Sequence, residues 1–437
     1  MRPHSRKRDA HTRGVLKMSE ELAINGGPKT ATEPFPNTSM AAGRDLGEEE
    51  IALVSEVIHS GKMFRYSGSM VEQFEQEYGE YLGIKHVQAV SSGTASLHTA
   101  VAALQLDPGD EIITTPVTDM GTYIGIVQCC CIPIFADLDR LTLNMNPEAI
   151  EQRITDRTRA LLVVHLFGQP CRMDEIMDIA RRHNLYVVED CAQAHGATYD
   201  GQPVGTFGDI GCFSLQQSKQ ITAGDGGIVA TNDDEFYVRM RDFHDKYYDR
   251  TGRTEERIVQ RIGINYRMNE VTGAVALAQC RKLPSILERR RASADHLIRL
   301  LEQIEGINPP YMYPKTTGHS WWRFPFTIDE DLLGVDRPTF ARAIAAEGMP
   351  FSTGYGGGTP MVATPCIANH VAYGDSEFPW EPPYGRDPQY DVNDYPGALW
   401  GQESIFTTGW TEGHTVEHAE LIGEGIRKVA EYYRSRK

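Results

Sequence analysis

Cysteine pairs at metal-binding or disulfide-type spacings are missing from this chain. Its eight cysteines, Cys129, Cys130, Cys131, Cys171, Cys191, Cys212, Cys280 and Cys366, form no CxxC, which argues against a zinc site and against a disulfide framework. Free thiols suit a reducing cytoplasm, the expected location. The run Cys129-Cys130-Cys131 precedes Ile132-Pro133-Ile134-Phe135 and reads as buried thiols beside a strand. Positive charge is also scarce: 43 Lys and Arg stand against 60 Asp and Glu, a net charge of −17. A nucleic-acid or anionic-membrane surface needs the opposite balance. No apolar run is long enough to span a bilayer. Internal repeats are absent too.

What is present begins with a change of character at residue 18. Residues 1–17 carry Arg2, Arg6, Lys7, Arg8, Arg13 and Lys17 against the single acid Asp9. Without an apolar segment this is no secretory signal, and it reads as a disordered basic tail. From about 87 to 231, short apolar runs alternate with helical ones. His86–Val90, Glu111–Thr115, Ile132–Ala136, Arg159–His165, Leu185–Asp190 and Asp209–Ser214 read as strands, and Thr94–Leu104 and Met173–His183 as helices. The pattern predicts an α/β fold, a mostly parallel sheet with helices on both faces. A long charged helix is expected over Arg281–Leu301, leading into a smaller C-terminal α+β unit. The expected division is a large unit over 18–285 and a small one over 286–437. Within the latter, 354–398 is rich in Gly, Pro, Tyr and Asp and reads as a functional loop or lid.

Three features of the large unit point to pyridoxal phosphate (PLP) chemistry. Lys219 lies between the run Cys212-Phe213-Ser214 and the turn Gly224-Asp225-Gly226-Gly227. Asp190 ends an apparent strand. The strand ending at Val90 runs into Ser91-Ser92-Gly93-Thr94-Ala95-Ser96 and a helix. Small residues there let an anion meet the helix's free N–H groups and its positive dipole end. A PLP site needs a Schiff-base lysine, a carboxylate for the pyridine nitrogen and a phosphate anchor. Ser214 can add a phosphate donor, and Gln193 a donor to the ring hydroxyl. Taken singly, Asp190 also reads as a turn cap, Lys219 as a solvated loop lysine and Ser92-Gly93-Thr94 as an ordinary helix cap. Their co-occurrence in this order is what is specific.

This set, with Asp190-Cys191-Ala192-Gln193-Ala194-His195-Gly196, Gly208-Asp209-Ile210-Gly211-Cys212-Phe213-Ser214 and Asn265-Tyr266-Arg267-Met268-Asn269-Glu270, resembles the DegT/DnrJ/EryC1/StrS aminotransferases. The resemblance covers residues 22 to 330 well and the C-terminal part loosely. It implies a fold-type I enzyme that moves an amino group from glutamate or glutamine to a keto-sugar or keto-cyclitol. It implies that Lys219 holds PLP as a Schiff base and shuttles a proton, that Asp190 pairs with the ring nitrogen, and that Gly93, Thr94 and Ser214 bind phosphate. It further implies a homodimer with shared active sites, Asn265 and Arg267 reaching the partner's phosphate. His319-Ser320-Trp321-Trp322 is expected near the substrate. Retention of the lysine argues against sugar 3-dehydratases, which carry histidine there. Aromatising relatives keep the lysine and are the alternative, with a PLP-binding regulatory protein behind them.

Two departures from the family stand out. Relatives carry a ring-stacking aromatic after the second strand, where this chain has Pro116-Val117-Thr118-Asp119-Met120-Gly121-Thr122-Tyr123. Met120 falls nearest the stacking position, and a thioether can pack on a π face; Tyr123 is the alternative. The 354–398 stretch is longer than usual, and Tyr355, Tyr373, Trp380 and Tyr384 are expected to face the acceptor ring. The acidic charge balance tilts the acceptor toward a free cyclitol or non-nucleotide sugar.

Overall fold

The computed structural model describes residues 21–250, 259 and 261–437; the basic tail read over 1–17 lies outside them. A seven-stranded sheet forms the centre, in the order His86–Val90, Gly227–Thr231, Ile210–Ser214, Tyr186–Asp190, Thr158–Val164, Glu111–Thr114, Ile132–Phe135. The last five run parallel, and Gly227–Thr231 is antiparallel to both neighbours. The central strands are apolar on both faces because helices cover both, as in Leu161 to Val164, all buried. The helices over Gly93–Leu104 and Met173–His183 form as the apolar spacing predicts. Asn184 in the left-handed region ends the second. All eight cysteines are free, and Cys131 is buried as expected, while Cys129 and Cys130 are partly exposed.

The smaller unit is built on a four-stranded antiparallel sheet, ordered Ile307–Asn308, Arg323–Ile328, Phe406–Gly409, Ser352–Thr353. Its core gathers Trp321, Phe324, Phe406 and Trp410, and also Leu22, Ala31 and Phe35 from the start of the described chain. The connecting helix runs Glu270–Leu301, eleven residues earlier than read from the sequence. The boundary read at 285 therefore falls within one continuous helix. Residues 354–398 do not form a free-standing lid. Val362, Ile367, Trp380 and Tyr395 join the core of the large sheet with Phe135 and Val164. Among the described residues, no helix is long and apolar enough to cross a membrane.

Candidate active site

The parallel strands deliver their carboxyl ends to one crevice, where open α/β sheets bind ligands. A cavity of about 390 Å³ opens there, lined by Ser92, Gly93, Thr94, Asp119, Thr122, Asp190, Gln193, Ser214, Lys219, Trp322 and Tyr355 among others. Of the residues singled out in the sequence, Gly93, Thr94, Asp190, Gln193, Ser214 and Lys219 meet in this one space.

The helix over Gly93–Leu104 starts at the cavity wall. Its cap, Ser92, accepts a hydrogen bond from the Ala95 N–H at 3.0 Å. Gly93 is required by close approach: a Cβ there would lie 2.7 Å from Cβ of Ser214. Gly227 faces the same turn, and a Cβ on it would meet the Ser92 carbonyl oxygen at 2.1 Å. Gly226 takes a φ of 145°, so the glycine run after Lys219 serves both backbone conformation and clearance.

Asp190 ends its strand beside Val164 and Cys212. It is buried, with Oδ2 accepting from Thr122 Oγ1 at 2.9 Å and Oδ1 from the Ala192 N–H at 3.0 Å. Burial pushes its carboxyl above the usual range, against the Ala192 N–H, the Thr122 hydroxyl and the Lys219 charge. A cation placed against Asp190 would relieve that cost. Burial pulls the Lys219 ammonium down to about 8, against the attraction of Asp190 and Asp119. Its Nζ stands 4.3 Å from the centre of the Trp322 ring.

Gln193 is held on both sides of its amide. Its Oε1 accepts from the Phe167 N–H at 2.8 Å, and its Nε2 donates to Tyr355 Oη at 3.1 Å. Tyr355 packs edge-on against Phe167 and Trp322. His195 is buried and neutral: burial lowers its pKa to about 4. Its Nε2 donates to the Ser214 carbonyl at 2.7 Å and its Nδ1 accepts from Tyr78 at 2.8 Å, which fixes the strand end carrying Ser214.

Other expected residues lie elsewhere. Met120 and Tyr123 line a neighbouring apolar cleft with Ile124, Val371 and Tyr373, and neither ring-stacking candidate reaches the cavity. Tyr123 is buried, and its hydroxyl turns to Met361. The residues of that turn that line the cavity are Thr118, Asp119, Gly121 and Thr122, and Asp119 Oδ1 accepts from the Gly121 N–H at 2.9 Å. Of the four aromatics expected to face the acceptor, only Tyr355 lines the cavity. Trp380 is 1% exposed, stacked on His370 and bonded through Nε1 to Tyr390 Oη at 2.9 Å. Tyr373 reaches the Val127 carbonyl, and Tyr384 packs on Phe378 at the surface. His319, Ser320 and Trp321 are buried behind the cavity, leaving Trp322 at its wall. Asn265 is exposed and outside the cavity lining, in a backbone bridge with Asp245, which also pairs with Arg267. Sequence reasoning missed Asp119 and Thr122, whose roles arise from tertiary contact and leave no periodic signal.

This geometry places a buried acid, a lysine with a lowered pKa and a helix N-terminus around one cavity. The chain belongs to the DegT/DnrJ/EryC1/StrS aminotransferase family, whose profile matches residues 44–380. It is 35% identical over 338 residues to a putative L-glutamine:3-amino-2,3-dideoxy-scyllo-inosose aminotransferase of Micromonospora echinospora, covering 76% of this chain and 79% of the relative. It is 36% identical over 288 residues to a GDP-perosamine synthase of Caulobacter vibrioides, covering 62% of this chain and 76% of the relative. The solved aminotransferase of Psychrobacter cryohalolentis superposes with a TM-score of 0.79 at 27% identity, over 93% of this chain and 100% of that one. The fold is the fold-type I arrangement that the sequence resemblance implies, and the protein is an aminotransferase.

Proposed function

We propose that the cavity binds PLP and transfers an amino group from glutamate or glutamine to a six-membered keto-cyclitol or keto-sugar. The observation that carries this reading is the meeting of Lys219 and the buried Asp190 in one cavity with the start of the Gly93–Leu104 helix. The residues fit the cofactor. The missing Cβ of Gly93 lets the helix N-terminus close on Ser214, setting the serine hydroxyl beside the free N–H groups that suit a phosphate. The enclosed carboxylate of Asp190 is suited to a protonated ring nitrogen. Bound there, PLP supplies the electron sink for amino transfer.

The chain's own groups do the rest. Lys219 Nζ, lowered to about 8, is partly in the neutral amine form near neutral pH, to hold the cofactor and to carry a proton to and from the substrate carbon. Thr122 and the Ala192 N–H fix the direction of the Asp190 carboxylate. Gly93, Thr94 and Ser214 would hold the phosphate, and Gln193, whose Nε2 carries a second hydrogen beyond the one given to Tyr355, would serve the ring hydroxyl. Tyr355 and Trp322 wall the acceptor side. Asn265 and Arg267, outside this chain's own cavity, are given to the phosphate of a second copy, making the functional unit a homodimer. Relatives act on both free cyclitols and a GDP-sugar by name, so the acceptor tilt rests on the chain's net charge of −17.

Borohydride treatment of the holoenzyme, followed by peptide mass analysis, is expected to place the cofactor on Lys219; a label on another lysine overturns the assignment. A panel of keto-cyclitols, nucleotide-linked keto-hexoses and 2-oxo acids with glutamine or glutamate as donor then reads the substrate. Turnover with 2-oxo acids alone overturns the substrate class. Mixing inactive Lys219→Ala and Arg267→Ala subunits is expected to restore activity, and a fully active monomer overturns the shared site.

A further inference from the structure

The lysine's loop is held from outside at three consecutive residues. The Ser218 carbonyl accepts from Trp322 Nε1 at 2.8 Å. The Lys219 carbonyl accepts from Arg44 Nη1 at 2.7 Å. The Gln220 side chain donates from Nε2 to the Gln193 carbonyl at 2.7 Å and to Ser320 Oγ at 2.9 Å. Trp322 and Gln193 line the cavity themselves. Arg44 does not, and it comes from a distant part of the chain.

Arg44 is poorly explained as a stabilising residue. Its side chain is 2% exposed, and its nearest acid is Glu412, with Nε 3.8 Å from Oε1. That carboxylate is already engaged: Arg290 donates to Oε2 from Nη2 at 2.7 Å and from Nε at 3.2 Å, and the Asp45 N–H donates to Oε1 at 3.0 Å. Asp45 turns its own carboxylate to Arg289 and Lys282. The Nε and Nη2 atoms of Arg44 are buried with no hydrogen-bond partner among the described residues. Two enclosed guanidiniums thus share one enclosed carboxylate, and desolvation lowers the pKa of Arg44. Such an excess buried charge costs stability. Among the described residues, the one hydrogen bond that Arg44 donates is to the backbone of Lys219. The segment around it is tightly placed: a Cβ on Gly413 would lie 2.1 Å from the Ala42 carbonyl oxygen.

We propose that Arg44 is a positioning residue for Lys219, holding the backbone from which its Nζ reaches the cofactor and the substrate carbon. Through Glu412 and Arg290, which also donates to the Trp321 carbonyl at 3.0 Å, the same cluster ties the lysine loop to the strand that presents Trp322. Lysine and aromatic wall are thereby set in register across the two units. This rests on the reading of Lys219 as the residue that holds PLP.

The test uses Arg44→Met and Arg44→Lys in the full chain. Arg44→Met removes the surplus charge and leaves the Arg290–Glu412 pair, so the apoprotein is expected to melt no lower than wild type. The rate at which added PLP attaches to Lys219, trapped by borohydride and read by mass analysis, is expected to fall about 10-fold or more. kcat is expected to fall about 10- to 100-fold with KM little changed, the scale of a small misplacement of a reacting group. Arg44→Lys, which keeps a donor in reach, is expected to recover part of both. Wild-type attachment and turnover in Arg44→Met overturn the proposal. So does a melting temperature that falls in step with activity in both variants, which makes Arg44 a structural residue only. A wild-type label on another lysine overturns the assignment of Lys219 instead.

Discussion

The floor of the cavity is assembled from strand ends, with Asp190, Ser214 and the turn after Val90 all placed by one sheet. Residues 354–398 reach the same cavity through Tyr355 alone and spend Val362, Ile367, Trp380 and Tyr395 on packing. The floor is therefore fixed by backbone pairing that many chains can share. The wall depends on which side chains of an irregular segment find a place in the core. The difference explains why a shared family leaves the acceptor open while the amino-transfer machinery stays recognisable.

The sharpest way to break this contrast is to treat 354–398 as a free lid. If it were one, Trp380→Ala would leave stability alone. Trp380 is instead 1% exposed within the core of the large sheet. Its truncation is expected to cost about 3–5 kcal/mol, seen as a melting temperature lower by several degrees. Tyr384, 43% exposed, is expected to change stability by less than about 0.5 kcal/mol when cut to alanine. Equal, small effects at both positions would restore the lid.

On the floor, Asp190→Asn removes the charge while keeping the shape. Its kcat is expected to fall about 10²- to 10³-fold, the scale of removing a preorganised electrostatic partner from a closed site. Thr122→Val, which deletes one bond to that carboxylate, should cost less. Wild-type turnover in Asp190→Asn would remove the ring-nitrogen role.

Legibility follows the same division. The helix over Met173–His183 was readable to its ends because polar and apolar residues alternate at helical spacing and an asparagine stops it. The first eleven residues of the long helix, Glu270–Cys280, were not. Small and uncharged residues dominate there, and Gly273 is needed because a Cβ would lie 2.5 Å from Val71. Such a face carries no amphipathic signal. Lys219, Asp190 and the Gly93 turn were legible because their chemistry is local to strand ends. Asp119, Thr122 and the Arg44 bond were not, since each acts through a partner tens or hundreds of residues away. Met120 and Tyr123 lie differently from the lysine and the acid. Both read as ring-packing side chains, and the turn aims both at the apolar cleft, while Thr118, Asp119, Gly121 and Thr122 line the cavity.

The smallest expected effect concerns that aspartate. Asp190 and Asp119 are both carboxylates whose charge acts on Lys219, Asp190 the more strongly. A nearby negative charge favours the ammonium form, so each acid raises the pKa that burial lowers. Attachment of PLP to the apoenzyme requires the neutral amine, and its rate is expected to rise with pH through about 8 in the wild type. Replacing Asp119 by asparagine retains the side-chain oxygen that caps the Gly121 N–H and removes only the charge. The ammonium then loses one of its two attractions, so the rising limb moves to lower pH. Asp190→Asn moves it further in the same direction, because its carboxylate is the stronger of the two. Stopped-flow attachment rates across pH for the three proteins read both the sign and the order. A limb that moves upward in Asp119→Asn, or moves further than in Asp190→Asn, would mean that Asp119 meets the cofactor through a direct contact rather than through its charge on the lysine.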